Sequence, residues 1–179
     1  MTAPPADGRV LVAGLGNVFL GDDAFGVETV RALASRPLPA HTEVADVGVR
    51  GVHLAYRLLD GYDTLILVDA TARGGTPGTL YVIEHEDDPA AVAAAATAPL
   101  DGHRMTPDAV LAQLAALCAT TGARPPRRIL VVGCEPARVE ERMELSEAVA
   151  AAVPHAVRLV EDLLTAAPES AQRAPAATP

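Results

Sequence analysis

The sequence predicts one α/β domain, a three-layer sandwich in which a mostly parallel, five-stranded sheet carries helices on both faces. Three observations predict it. Short runs rich in Val, Leu and Ile, such as VLVAG, TLILVDA and RILVVG, stop at a glycine or a lone acid, as strands buried on both faces do. Between them lie segments whose apolar residues recur at helical spacing, and this strand-helix alternation builds parallel sheets through right-handed crossovers. Half of the 179 residues are hydrophobic but only 3% are aromatic and none is Trp. Ala, Val and Leu in that proportion suit helices packed on a Val-rich sheet. The length is that of one domain, enough to bury a core without disulfides or a structural metal.

The elements follow in order. Arg9 to Gly14 is the first strand, and Gly26 to Ala34 the first helix, with Val27, Val30 and Leu33 on its inner face. Thr42 to Val47 is a second strand, Val52 to Leu59 a short helix, and Thr64 to Ala70 a third, fully buried strand. Gly74-Gly75 and Pro77-Gly78 mark turns before a fourth strand, Thr79 to Ile83. Glu84 to Asp101 reads as a loop or irregular helix, an acidic run passing into low-complexity alanine. Thr106-Pro107 is a helix start, and Val110, Leu111, Leu114 and Leu117 continue one face to Ala119. Arg128 to Gly133 is the fifth strand. Ser146 to Leu164 is a last helical stretch capped by Ser146, which Pro154 is expected to kink or split. The folded domain is expected over 9–164, with flexible tails rich in Ala, Pro, Ser and Thr at 1–8 and 165–179.

Charge and cysteine content narrow the partners. A formal net charge of -9 disfavours a phosphate-binding surface, so nucleic acid is not expected as a partner. Cys118 lies in a helical pattern and Cys134 at a strand end, and both read as buried thiols. With no signal-like start and no apolar run of spanning length, a cytoplasmic setting without membrane attachment is expected. No coiled-coil pattern or unusually apolar exposed segment is visible, so a monomer is expected.

In an open parallel sheet, ligands bind beyond the carboxyl ends of the strands. That rule gathers Asp22-Asp23 after the first strand, Asp46 near the end of the second, Asp69 at the end of the third, and the Gly133-Cys134-Glu135-Pro136 segment after the fifth. His103, in the long loop before the Thr106 helix, can reach the same rim. Two or three carboxylates with an imidazole suit a divalent cation such as nickel, zinc or manganese. Simpler uses exist for each. Asp22 and Asp23 are suited to capping the Gly26 helix, and His103 alone is an ordinary loop histidine, as are His41, His85 and His155. His53 is the rival ligand, since it opens the helix after Asp46. Asp69 is harder to explain by structure alone, because a lone carboxylate ending an apolar run is costly unless paired or bound.

The opening VLVAGLGNVFLGDDAFGVETV, the acid-terminated strand YDTLILVDA with PGTLYV after it, the histidine before a Leu-rich helix in GHRMTPDAVLAQL, and the late VVGCEPARVEERMELSEAV resemble, in order, the hydrogenase maturation endopeptidases that process the nickel-iron hydrogenase large subunit. The resemblance covers about Arg9 to Leu164. It implies an endopeptidase that removes the C-terminal extension of the large-subunit precursor after nickel insertion. Nickel already in the precursor would be recognised through Asp23, Asp69 and His103. No resident cofactor is then needed, and zinc or cadmium would substitute for nickel in vitro. Asp46 is the candidate accessory base. The turn Asp46-Val47-Gly48-Val49-Arg50-Gly51 departs from the family's Gly-Gly-Thr-like sequence, a change that bears on which large subunit is recognised.

Other readings stand beside this one. The protein could sense nickel insertion as a non-proteolytic metal-binding module. Gly14-Leu15-Gly16-Asn17 suggests a dinucleotide loop, although Phe19 stands where the third glycine belongs. A relative of the spore or peptidyl-tRNA hydrolases is a further possibility that the acidic charge does not favour.

Overall fold

The computed structural model describes residues 8–85 and 106–166. Five strands form one sheet: β1 (Val10–Leu15), β2 (Thr42–Gly48), β3 (Thr64–Ala70), β4 (Leu80–Glu84) and β5 (Arg128–Cys134). The described helices are α1 (Phe25–Leu33), α2 (Gly51–Leu58), α3 (Pro107–Thr121) and α4 (Glu147–Thr165), and a 3-10 turn, Gly21–Ala24, leads into α1. The strand order is β2-β1-β3-β5-β4, with β4 antiparallel to β5 and the other pairs parallel. The link from β3 to β4 contains no helix. A parallel return needs a crossover of about a dozen residues or more, so β4 enters reversed and closes the edge.

Side chains alternate across the sheet with a period of two. Leu65 and Leu67 of β3 join Leu11, Ala13 and Val131 under Leu54, Leu58, Val110 and Leu114 of α2 and α3. Ile66 and Val68 join Val12, Leu130 and Val132 under Phe25, Val30, Val149 and Val157 of α1 and α4. The expected three-layer sandwich is thus present, with an apolar cluster on each side of the sheet. At the usual ~25 cal/mol per Å² these two clusters are the main favourable term in folding.

Two glycines set how closely α1 lies on the sheet. A Cβ at Gly14 would strike the Gly26 carbonyl and Val30, and one at Gly26 would strike the carbonyls of Val68 and Leu15. The glycine-rich start of the chain therefore serves backbone-to-backbone packing.

Helix starts match the sequence signals. Thr106 Oγ1 accepts from the Ala109 N–H at 3.3 Å, and Ser146 Oγ from that of Val149 at 3.4 Å. The expected break at Pro154 does not occur, and α4 runs continuously through it. Pro154 and Ala150 are both exposed. The carbonyl that proline leaves without a donor, four residues back, can therefore be satisfied by water. No described helix is long and apolar enough to cross a membrane. The stretch read as irregular, Glu84 to Asp101, and the tails lie largely outside the described residues.

Candidate active site at the sheet rim

Asp69 is the penultimate residue of β3, paired in register with Gly133 of β5. It is 7% exposed. The alternation that buries Leu65 and Leu67 carries its carboxyl to the side of α2 and α3. Burial raises its pKa to about 8, with the charge of Asp23 adding to the effect and the Ala70 N–H opposing it. A carboxyl so placed holds its proton near neutrality.

Asp23 is supplied by the 3-10 turn and is partly buried. Its Oδ2 accepts the Asn17 N–H at 2.7 Å. Asn17 in turn accepts the Phe19 N–H at 2.9 Å through Oδ1, which shapes the loop. Gly16 has φ +128, and any Cβ there would strike the Asp23 carbonyl, so this position requires glycine. Gly14, Gly16 and Asn17 are thus spent on seating α1 and aiming Asp23, which removes the physical basis of the dinucleotide reading.

Neither acid caps α1, which has no side-chain cap. Asp22 has a different task that the sequence reading missed. Fully buried, it accepts the Ser146 N–H at 2.6 Å and hydroxyl at 2.9 Å, and the N–H groups of Ala137 (2.8 Å) and Arg138 (3.0 Å). Burial alone would raise its pKa, but these donors, led by Ser146, hold it below the usual carboxylate value. Backbone pairing completes the seam, with the Arg142 N–H bonded to the Phe19 carbonyl at 2.9 Å and the Gly21 N–H to the Arg142 carbonyl at 2.7 Å. The β5–α4 loop is thereby bound to the loop that carries Asp23.

Glu135, also buried, performs a similar task on the other flank. It accepts the N–H groups of Arg73 (2.8 Å) and Gly74 (3.2 Å) and the Tyr81 hydroxyl (2.9 Å), fixing the turn just beyond Asp69. The Arg73 N–H is the main cause of its lowered pKa. A Glu-Pro after a strand was the only sequence signal for it, and nothing in that signal named the partners.

Asp46 does not converge with these groups. It pairs with Gly14, whose open side faces α1, and its Oδ2 accepts Arg31 Nε at 2.9 Å. Asp46 and Asp69 therefore face opposite layers of the sheet. His53 is exposed on α2. His103 lies outside the described residues. Among the described residues, no three His, Cys, Asp or Glu side chains converge as a metal site, and of the expected ligands Asp23 lies near enough for its charge to raise the pKa of Asp69. Cys118 is partly buried in α3, and Cys134 lies buried in the α1–α4 core. Burial, with Asp22 and Glu135 nearby, pushes the Cys134 thiol up to about 11, which rules it out as a thiolate nucleophile near neutrality.

Sheet and rim define a small single-domain α/β protein in which two acids, Asp23 and Asp69, lie at or beyond the carboxyl ends of parallel strands. A family profile described as hydrogenase maturation protease matches residues 27–163. The hydrogenase 2 maturation protease of Escherichia coli strain K12 is 32% identical over 164 residues, 90% of this chain and 92% of that protein. The hydrogenase expression/formation protein HupD of Rhodobacter capsulatus is 35% identical over 136 residues, 74% of this chain but only 60% of that longer protein. Among solved structures, the hydrogenase maturating endopeptidase HybD from E. coli superposes with a TM-score of 0.67 at 32% identity, covering 85% of this chain and 89% of that one. The chain belongs to the hydrogenase maturation protease family, and its enzyme class is endopeptidase.

Proposed function

We propose that the protein removes the C-terminal extension of a nickel-iron hydrogenase large-subunit precursor after nickel insertion, and that it recognises the nickel through Asp23, Asp69 and His103. The observation that carries this reading is the placement of Asp69: buried, beside a second acid, and with no basic partner among the described residues. Leaving two carboxylates together without a cation is unfavourable, so such a centre is completed by an arriving one. Nickel belongs to the substrate in this scheme, and the protein needs no metal of its own.

The position of α3 supports His103 as third ligand. The short link Gly122 to Arg127 keeps the end of α3 near the start of β5. A helix of 15 residues is ~22 Å long and so returns its first turn toward the rim, over the layer that Asp69 faces. His103 precedes Thr106 by three positions, a reach of roughly 10 Å.

Two carboxylates and an imidazole leave coordination positions open. They can hold a centre already bound by the precursor without displacing its ligands. Nickel held in this way brings the adjoining peptide against the rim, so that cleavage gains from proximity. In this scheme the protein acts in the cytoplasm as a monomer.

Mass spectrometry of the precursor after incubation with the protein tests the reading. A nickel-loaded precursor should lose its extension, and a nickel-free one should not. A nickel-loaded precursor that binds but keeps its mass would replace the peptidase with a nickel-sensing module.

A further inference from the structure

The rim next to Asp69 carries a cation that no described acid neutralises. Elsewhere on the rim, Arg31 is paired with Asp46 and Arg138 with Glu140, and Arg50 is engaged with the carbonyls of Asp46 and Val47. Arg73 has no such partner among the described residues, yet it is well positioned. Glu135 fixes its backbone through the Arg73 and Gly74 N–H groups, and the guanidinium lies 5.6 Å from the centre of the Tyr81 ring, whose hydroxyl Glu135 also holds. Thr71, two residues earlier, packs over Gly133 opposite Asp69.

The faces agree as well. Tyr81 pairs with Gly133, and Gly133 with Asp69, so Tyr81 and Asp69 project to the same side of the sheet. Two strand spacings separate them, roughly 10 Å. An extended peptide covers that distance in about three residues. A chain leaving a metal held at Asp69 along this side of the rim would meet Arg73 almost at once. Arg73 lies on the side of the sheet to which Asp69 projects, so it is a point on that side where a negative group is attracted.

We infer that Arg73 is a specificity-determining residue that takes a carboxylate of the precursor's C-terminal extension, supplied by an acidic side chain or by the chain's own terminus. The inference rests on the reading of the acid pair as the metal-docking centre of the peptidase. Tyr81 and Glu135 position Arg73, and the guanidinium itself touches substrate.

The test compares wild-type, Arg73→Gln and Arg73→Lys proteins, each checked for folding by thermal melting, for cleavage and binding of nickel-loaded precursor. Arg73→Gln should raise KM by about tenfold, as loss of one charge-assisted contact does, with kcat little altered. Arg73→Lys should recover most of the loss, and added salt should narrow the gap. Two altered precursors locate the carboxylate: one with the acids of its extension changed to amides, the other with its terminus carried away on a neutral Gly-Ser segment. Wild type and Arg73→Gln should become equal on the form that has lost the contact. An unchanged KM in Arg73→Gln, or a gap that persists on a precursor carrying both alterations, overturns the inference. Binding affinity makes the same comparison without turnover. Absence of cleavage by wild type would therefore overturn the peptidase reading, while unchanged affinity in Arg73→Gln would overturn this one.

Discussion

The Asp22 carboxylate accepts both the backbone N–H and the hydroxyl of Ser146, a residue 124 positions later in the chain. This buried contact ties the N-terminus of α4 to the loop that presents Asp23. Two adjacent acids thus divide their work: Asp22 holds the rim together, and the charge of Asp23 helps to raise the pKa of Asp69.

Removing that tie should be expensive. Asp22→Ala leaves the N–H groups of Ala137, Arg138 and Ser146 without their acceptor, and a loss of ~2–4 kcal/mol is expected, since buried donors to a charged group cost more than average to abandon. Urea unfolding measures it. A midpoint matching that of wild type would show that water replaces the carboxylate without penalty.

Asp69→Asn should behave in the opposite way. The amide keeps the shape but loses the charge, so processing should fall below detection while the fold persists. The folded pKa of Asp69, about 8, lies above its ordinary value of 3.8. The folded state therefore binds the proton more tightly than the unfolded chain. It loses relative stability as pH rises from about 4 through about 8, and the effect then levels off. Wild type should thus melt progressively below Asp69→Asn across that window, with the two closest under acidic conditions. A constant difference in melting temperature would mean that Asp69 is not the titrating group.

Substitution of Gly26 by alanine should damage the fold itself. The added methyl meets the backbone carbonyls of Val68 and Leu15, which cannot swing aside as side chains do. A destabilisation of ~3 kcal/mol or more is expected, at the upper end for overpacking. Circular dichroism melting is sufficient to detect it, and an unperturbed variant would show that α1 can lift from the sheet.

Metal titration probes His103. The isolated protein should bind nickel, zinc or cadmium modestly, because the proposed ligands come from separate loops and leave positions open, unlike closed four-ligand structural sites. Affinity should fall as pH drops below about 8, where Asp69 takes up its proton, and further through about 6.5, where an unperturbed imidazole protonates. His103→Ala should lose roughly tenfold or more in affinity. Equal affinity in the variant would remove His103 from the site.

Much of this protein is determined by sequence alone. Buried strands announce themselves as Val/Leu runs and helices by apolar spacing, so the layers, the helix starts at Thr106 and Ser146, and an acid at the end of β3 are all legible along the chain. These are local properties, set by side-chain chemistry within a few residues. The resemblance in the strand-loop-helix around Asp22-Asp23 added the family to that reading.

Tertiary structure alone decided the rest. It reversed β4, kept α4 continuous through Pro154, and separated Asp46 from Asp69 by placing them on opposite faces of the sheet. It also gave Asp22 and Glu135 their structural tasks and left Arg73 stacked on Tyr81 beside the acid pair. None of these is written in a local pattern, because a carboxylate looks the same in sequence whether it meets a metal, an arginine or a set of backbone N–H groups. Which of these it meets depends on segments up to 124 residues away, brought together only when the two apolar layers close on the sheet.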